Sequence, residues 1–126
     1  MKKISENILI VDDDWLMIMV AQTVLESMGY QVLTALTGRE AIDLYKKHQE
    51  SIHLVILDLV MPELDGRQVV EQLRLLNPEI KILLCSAILQ ETAVSDLLEG
   101  NKCAGFIPKP WRLSEIEKSV RTTLGQ

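Results

Sequence analysis

Aromatic side chains are scarce in this chain of 126 residues: one phenylalanine, two tyrosines and two tryptophans, 4% in all. Leu, Ile and Val must therefore fill any core. Cysteine is rarer still, with only Cys85 and Cys103. Their spacing makes no zinc-type pair and excludes a disulfide-rich scaffold. Without an export signal they read as reduced thiols, in or near the core, of a cytosolic protein. His48 and His53 do not cluster with them and read as surface or strand-edge side chains. No apolar run approaches the ~20 residues of a membrane span. Lys2 and Lys3 precede only the short apolar run Ile8 to Val11 and then three aspartates, too little for a signal peptide. A basic excess is also missing: 13 Lys and Arg stand against 18 Asp and Glu, a net charge of −5. That argues against a sequence-independent grip on nucleic acid, which needs a basic face. The charge itself reads as solubility.

What is present is alternation. The length fits one domain over residues 1–126, and 48% hydrophobic residues suffice for a core. Ile8 to Val11, Leu54 to Leu57 and Ile82 to Leu84 are continuous apolar runs. Strands buried on both faces of a helix-covered parallel sheet look like that. Gln31 to Ala35 and Gly105 to Ile107 are weaker candidates. Between the strands lie helical patterns. Leu16, Val20, Val24 and Ser27 predict the inner face of a first helix, with Gly29 as its stop. Thr37 with Glu40 predicts a capping box for a second helix through Tyr45. Asp65 is expected to cap a third, with Val69, Leu73 and Leu76 inward and Asn77-Pro78 at its end. Val94, Leu97 and Leu98 predict a fourth, stopped near Gly100. Ser114 with Glu117 predicts the cap of a fifth, with Leu113, Ile116, Val120 and Leu124 inward. Right-handed crossovers then give an α/β fold: a doubly wound, five-stranded parallel sheet of flavodoxin-like order 2-1-3-4-5, flanked by five helices.

Ligands of such sheets sit beyond the carboxyl ends of the strands, where the winding reverses. The polar residues expected there are Asp12, Asp13 and Asp14 after the first strand, Asp58 after the third, Ser86 after the fourth and Lys109 after the fifth. Taken singly, each has a plain role: Asp13 or Asp14 as a helix cap, Asp58 as a turn residue, Ser86 bonded to local backbone, Lys109 as a solvated charge. Together they form one site. Crowded carboxylates repel unless a cation neutralises them. Mg²⁺ suits them, keeping several waters and taking one or two carboxylates plus a phosphoryl oxygen. A carboxylate nucleophile, a metal, an ammonium and a hydroxyl are the requirements of phosphoryl transfer to aspartate.

At these residues the chain resembles the receiver domains of two-component response regulators, over nearly its whole length. The matching pieces are ILIVDDD, LVILDLVMPELDG, ILLCSA and GFIPKPW. The resemblance implies that Asp58 is the phosphoacceptor, assisted by Lys109 and Ser86. It implies Mg²⁺ ligation by Asp12, Asp13 and Asp58 and by the Val60 carbonyl, with Asp12 acting through water. Ser86 and Phe106 become the switch pair, Phe106 turning inward when Ser86 moves. The plainer reading of Phe106 is an edge-strand aromatic packed on the fifth helix. Lys109-Pro110 is expected to be cis. A histidine kinase or a histidine-containing phosphotransfer protein is the expected donor. The surface of the fourth helix, fifth strand and fifth helix is expected to change for an output partner whose identity the sequence does not give. No direct nucleic-acid or membrane contact is expected, and the chain is expected to be a monomer or a phosphorylation-dependent dimer. Nothing resembling an output domain follows the fifth helix. A piece of a larger regulator or hybrid kinase has the same pattern.

Some positions depart from the family's commonest pattern. Trp15 follows the acidic run, either packing on the first helix or shielding the pocket or touching a partner. Trp111 replaces a phenylalanine. Val60 and Ile88 are apolar where polar residues help orient a water for dephosphorylation, so slow self-dephosphorylation is expected. Three rivals remain. Asp12-Asp13-Asp14 resembles the Asp-x-Asp motif of haloacid-dehalogenase-type phosphatases, with Asp12 as nucleophile and Asp14 as acid. That family needs further acidic ligands after the lysine, and only helical Glu115 and Glu117 are left. A flavodoxin-type flavin binder needs a Ser/Thr/Gly-rich anion loop, where this chain has three aspartates. A pseudo-receiver used only for docking would not need the complete acidic set.

Overall fold

The computed structural model describes residues 6–59, 66–86, 103–108 and 112–125. Five parallel strands form one sheet in the order β2-β1-β3-β4-β5, as the sequence predicts. They are β1 (Asn7–Val11), β2 (Gln31–Ala35), β3 (Ile52–Asp58), β4 (Lys81–Ser86) and β5 (Gly105–Pro108). Strand β3 is longer than its apolar run and includes Asp58 as its last residue. The described helices are α1 (Trp15–Ser27), α2 (Gly38–His48), α3 (Gly66–Leu76) and α4 (Leu113–Leu124). Helix α4 is the fifth helix expected from sequence. The expected fourth, around Val94, Leu97 and Leu98, lies outside the described residues, as does the expected cap Asp65.

Strand side chains alternate between two cores. Leu9, Val11, Val55, Leu57, Ile82 and Leu84 meet Ile42 and Tyr45 of α2 and Val69 and Leu73 of α3 on one face. Ile8, Ile10, Leu54, Ile56, Leu83, Cys85 and Ile107 meet Ile18, Ala21 and Leu25 of α1 and Ile116 and Val120 of α4 on the other. Each fully buried Leu or Ile contributes roughly 1.5–3 kcal/mol relative to exposure. Cys85 and Cys103 are buried thiols belonging to opposite cores. A sheet so covered on both faces can present its own polar side chains only near its strand ends.

Three local expectations fail. Leu16 and Val20 do not face inward; they are 60% and 44% exposed, and α1 packs instead through Ile18, Ala21 and Leu25. Helix α1 is apolar around much of its circumference, so spacing alone did not fix which stripe meets the sheet. Ser114 is not a cap: α4 begins at Leu113 with Arg112 at the cap position and no side-chain cap bond. Leu113 is correspondingly 52% exposed. Phe106 does not pack on the C-terminal helix. It is half-buried against the α2/α3 core, while its neighbour Ile107 takes the α1/α4 face.

Other local signals hold. Glu40 N–H donates to Thr37 Oγ1 at 3.1 Å, and Glu40 Oε1 accepts from Leu36 N–H at 2.8 Å. This is a capping box displaced by one residue. Gly29 ends α1 at φ 101°, a conformation open to glycine. There Tyr30 N–H donates to Leu25 O at 3.1 Å and Gly29 N–H to Glu26 O at 3.0 Å. Both orphan carbonyls are satisfied, and Tyr30 packs in the same core as Leu25. Asn77 closes α3, donating from Nδ2 to Tyr45 Oη at 3.0 Å and accepting from Glu79 N–H at 3.0 Å.

Candidate phosphoacceptor and metal site

Strand pairing carries Asp12 and Asp58 to one rim. β1 and β3 are neighbours, with Val11 opposite Leu57, so each strand delivers its next residue to the same edge. Asp12 and Asp58 also continue the alternation of Ile8, Ile10 and of Leu54, Ile56, which places both on the α1 face of the sheet. Backbone bonds hold the rim. Asp12 N–H donates to Ala35 O at 3.1 Å, extending the β1–β2 pairing, and Leu59 N–H donates to Cys85 O at 3.0 Å.

The outcome is a convergence of three carboxylates. One oxygen each from Asp12, Asp13 and Asp58 lie within 4.8 Å of one another. Asp12 is fully buried and Asp58 is 4% exposed, while Asp13 faces solvent. It is the one such acidic group among the described residues. Two unit charges ~4 Å apart in a dielectric typical of protein surfaces repel by about 4 kcal/mol. Water cannot relieve that repulsion at two buried groups; a divalent cation can. The donors suit Mg²⁺: all are hard oxygens, and Asp13 is exposed to solvent. An ion held there by these carboxylates, directly or through water, would neutralise their charge.

The acidic run is not uniform. Asp14 turns away as the N-cap of α1, its Oδ1 accepting from Leu16 N–H at 3.0 Å. Its own N–H donates to Asp12 Oδ1 at 2.9 Å. This weakens the phosphatase rival, which needs Asp14 as a free acid. Trp15, in the first turn of α1, is 58% exposed; it does not pack down on its helix. Ser86 ends β4 in register with Pro108 of β5; the placement expected of its hydroxyl lies outside the described residues, as do the expectations for Val60, Ile88, Lys109, the Lys109-Pro110 bond and Trp111. Phe106 stands in register with Leu84 on β4, two residues before Ser86.

Sequence reasoning gave Gly66 no role. A Cβ there would lie 2.6 Å from Leu59 Cα, 2.9 Å from Leu59 O and 3.0 Å from Asp58 O. Gly66 N–H also donates to Leu59 O at 3.1 Å. The chain therefore returns after residue 65 to press on the backbone that carries Asp58. The Asp65-Gly66 pair was the available signal, since such pairs mark tight turns.

Comparison with known proteins agrees with this geometry. The family described as the response regulator receiver domain matches residues 8–121. The chemotaxis protein CheY of Bacillus subtilis is 32% identical over 95% of this chain and 98% of its own length. The sensor kinase CckA of Brucella abortus is also 32% identical over 95% of this chain, which spans only 13% of that kinase. Among solved structures, the CheX-CheY-BeF3-Mg+2 complex from Borrelia burgdorferi superposes with a TM-score of 0.87 at 30% identity, covering 93% of this chain and 87% of that one.

Proposed function

The chain belongs to the response regulator receiver domain family, a family of phosphoacceptor signalling domains, and within that frame we propose that Asp58 is the residue that takes the phosphoryl group. The convergence of Asp58 with Asp12 and Asp13 within 4.8 Å carries this reading. Asp58 ends a buried strand, so the backbone that carries its carboxylate is fixed at the rim of the sheet. Asp12 and Asp13 are the side chains that would hold Mg²⁺, together with the Val60 carbonyl. The ion supplies charge neutralisation for the phosphoryl oxygens. The Borrelia complex pairs a receiver with beryllium fluoride and magnesium, which supports the same chemistry here.

In the proposed transfer, Asp58 attacks the phosphorus of a phosphohistidine and displaces the imidazole. Lys109 and Ser86 then contact the new phosphoryl group. Its added charge favours a second arrangement of the domain through those differential contacts. Phe106 is the proposed reporter. It is half-buried on β5, so its ring needs little rearrangement to change exposure. The surface around β5 and α4 is then read by an output partner. The chain modifies itself once per signal and is not proposed to turn over an external substrate. The donor is a histidine kinase or a phosphotransfer protein. An apolar strip of Trp15, Leu16, Met19 and Val20 on α1, 44–60% exposed, borders the carboxylates and offers that protein a surface.

Incubation with acetyl phosphate and Mg²⁺, followed by mass spectrometry, tests the assignment. The expected result is one phosphoryl adduct, lost in Asp58→Asn and retained at a lower rate in Asp12→Asn. Label that persists in Asp58→Asn and vanishes in Asp12→Asn would overturn it in favour of the phosphatase-type mechanism.

A further inference from the structure

The third aspartate of the run is not in the group formed by Asp12, Asp13 and Asp58, yet its backbone bonds a carboxylate of that group. Asp14 N–H donates to Asp12 Oδ1 at 2.9 Å. The same residue sits at φ −97° and ψ 101° as the N-cap of α1. Its Oδ1 accepts from Leu16 N–H at 3.0 Å, and its carbonyl accepts from Ile18 N–H at 3.2 Å, an early bond of the helix. The Asp12 main chain is fixed by the bond from its N–H to Ala35 O.

We infer that Asp14 is a positioning residue for the metal site: its side chain anchors the start of α1, and this holds its N–H where it orients the Asp12 carboxylate. The inference rests on the reading of Asp12, Asp13 and Asp58 as the Mg²⁺ ligands. The physical chain is short. A capping acceptor fixes the Asp14 backbone in the extended conformation that a helix start requires. A hydrogen bond to a charged oxygen is directional and comparatively strong. Freezing Asp12 before the ion arrives removes an ordering cost from binding. Without the cap acceptor the first turn frays, the Asp14 amide swings, and Asp12 loses a bond that orders its carboxylate. The exposed charge of Asp14 is incidental to this role.

Calorimetric titration of the full chain with MgCl₂ alone, in 0.3 M KCl to screen long-range charge, tests the inference beside thermal melts in EDTA. Asp14→Ala removes the cap acceptor; Asp14→Asn and Asp14→Ser keep it without the charge. The expected result is Mg²⁺ affinity about five- to tenfold weaker in Asp14→Ala, and within about twofold of the parent in the Asn and Ser variants. Equal weakening in all three would make Asp14 a charge effect and overturn the inference. A lowered melting temperature in Asp14→Ala with parental Mg²⁺ affinity would reduce it to an ordinary helix cap and overturn it also. If Asp14→Ala does not fold, Asp14→Gly, which also lacks the cap acceptor but is tolerated at caps, answers the same question. Asp13→Asn is the control. Parental Mg²⁺ affinity in that variant would refute the metal site itself rather than the role of Asp14.

Discussion

Gly66 approaches Leu59 so closely that a methyl group on it would stand 2.6 Å from the Leu59 Cα. No side-chain rotation relieves that clash, because the obstructing atoms are backbone. Gly66→Ala must move either the start of α3 or the end of β3. Forced overpacking of this kind costs about 1–3 kcal/mol. The expected outcome is a destabilisation of that size in urea, with slower labelling of Asp58 by acetyl phosphate. The slowing should persist where the variant is fully folded, since the displaced backbone is the one that aims Asp58. A folded variant that labels at the parental rate would show that the contact serves packing only.

The crowding of Asp12, Asp13 and Asp58 predicts that the site opposes folding when no cation is present. Asp58→Asn removes one of three repelling charges, so it should raise the melting temperature in EDTA. About 1 kcal/mol of relief corresponds to roughly 4 °C for a domain of this size. Millimolar Mg²⁺ should reverse the order. It stabilises the parent by mass action, as any ligand of the native state does, and stabilises the variant less. Melting curves of both proteins with and without Mg²⁺ check this. A variant no more stable than the parent in EDTA would mean that the repulsion is already relieved within the protein.

Much of this was legible before the structure, and what failed shares a cause. Parallel strands buried on both faces announce themselves as Ile8 to Val11 or Leu54 to Leu57, since no alternation is possible there. Thr37 and Glu40 act within a few residues of each other, so local sequence sufficed. The meeting of Asp12 with Asp58 was readable because strand order places both after strands that pair. Leu16 and Val20 misled because α1 is apolar on more than one side, and only packing against Ile8 and Ile10 selects the stripe of Ile18, Ala21 and Leu25. Phe106 misled for a different reason: a one-residue shift of parity sends a strand side chain to the opposite face. Gly66 and Asp14 act through backbone atoms, on partners seven and two positions away, and residue type alone does not disclose what a backbone amide bonds.

Alkaline pH should weaken the fold through Tyr30. Burial pushes its phenol above the ordinary value of 10.0, and the Glu6 carboxylate adds to the rise while Arg121 opposes it. The raised native value means that the unfolded chain ionises first. The contribution to stability is therefore complete below about pH 10 and is lost as pH rises from there through the native value. Tyr30→Phe cannot ionise. Its stability curve should fall less steeply above pH 10 than the parent's, the difference between the two curves isolating Tyr30 from the lysines that titrate nearby. Parallel curves would show that Tyr30 ionises equally easily in both states.

The aspartyl phosphate is predicted to be long-lived. Val60 and Ile88 follow Asp58 and Ser86 by two residues each, and neither side chain can hydrogen-bond an attacking water. Val60→Asn and Ile88→Glu each supply a polar group and should accelerate loss of label from Asp58, by about tenfold if a single well-placed hydrogen bond is gained. Following the decay of the adduct by mass spectrometry after removal of acetyl phosphate gives the rates. No acceleration in either variant would place the control of lifetime elsewhere.

Trp15, Leu16, Met19 and Val20 separate a protein donor from a small one. All four are 44–60% exposed on α1, and Met19 and Val20 lie a turn further from the carboxylates than the other two. A small phosphodonor reaches Asp58 without touching that second turn. A protein that seats a phosphohistidine over the rim also covers the helix beside it, and a charge placed in that apolar contact would be buried without a partner, at a cost of about 1 kcal/mol or more. Met19→Glu and Val20→Lys should therefore slow transfer from the cognate kinase by about tenfold or more, with acetyl phosphate labelling unchanged. Equal slowing from both donors would mean that the substitutions disturb α1 and, through Asp14, the carboxylates. Parental rates from both would remove α1 from the donor interface.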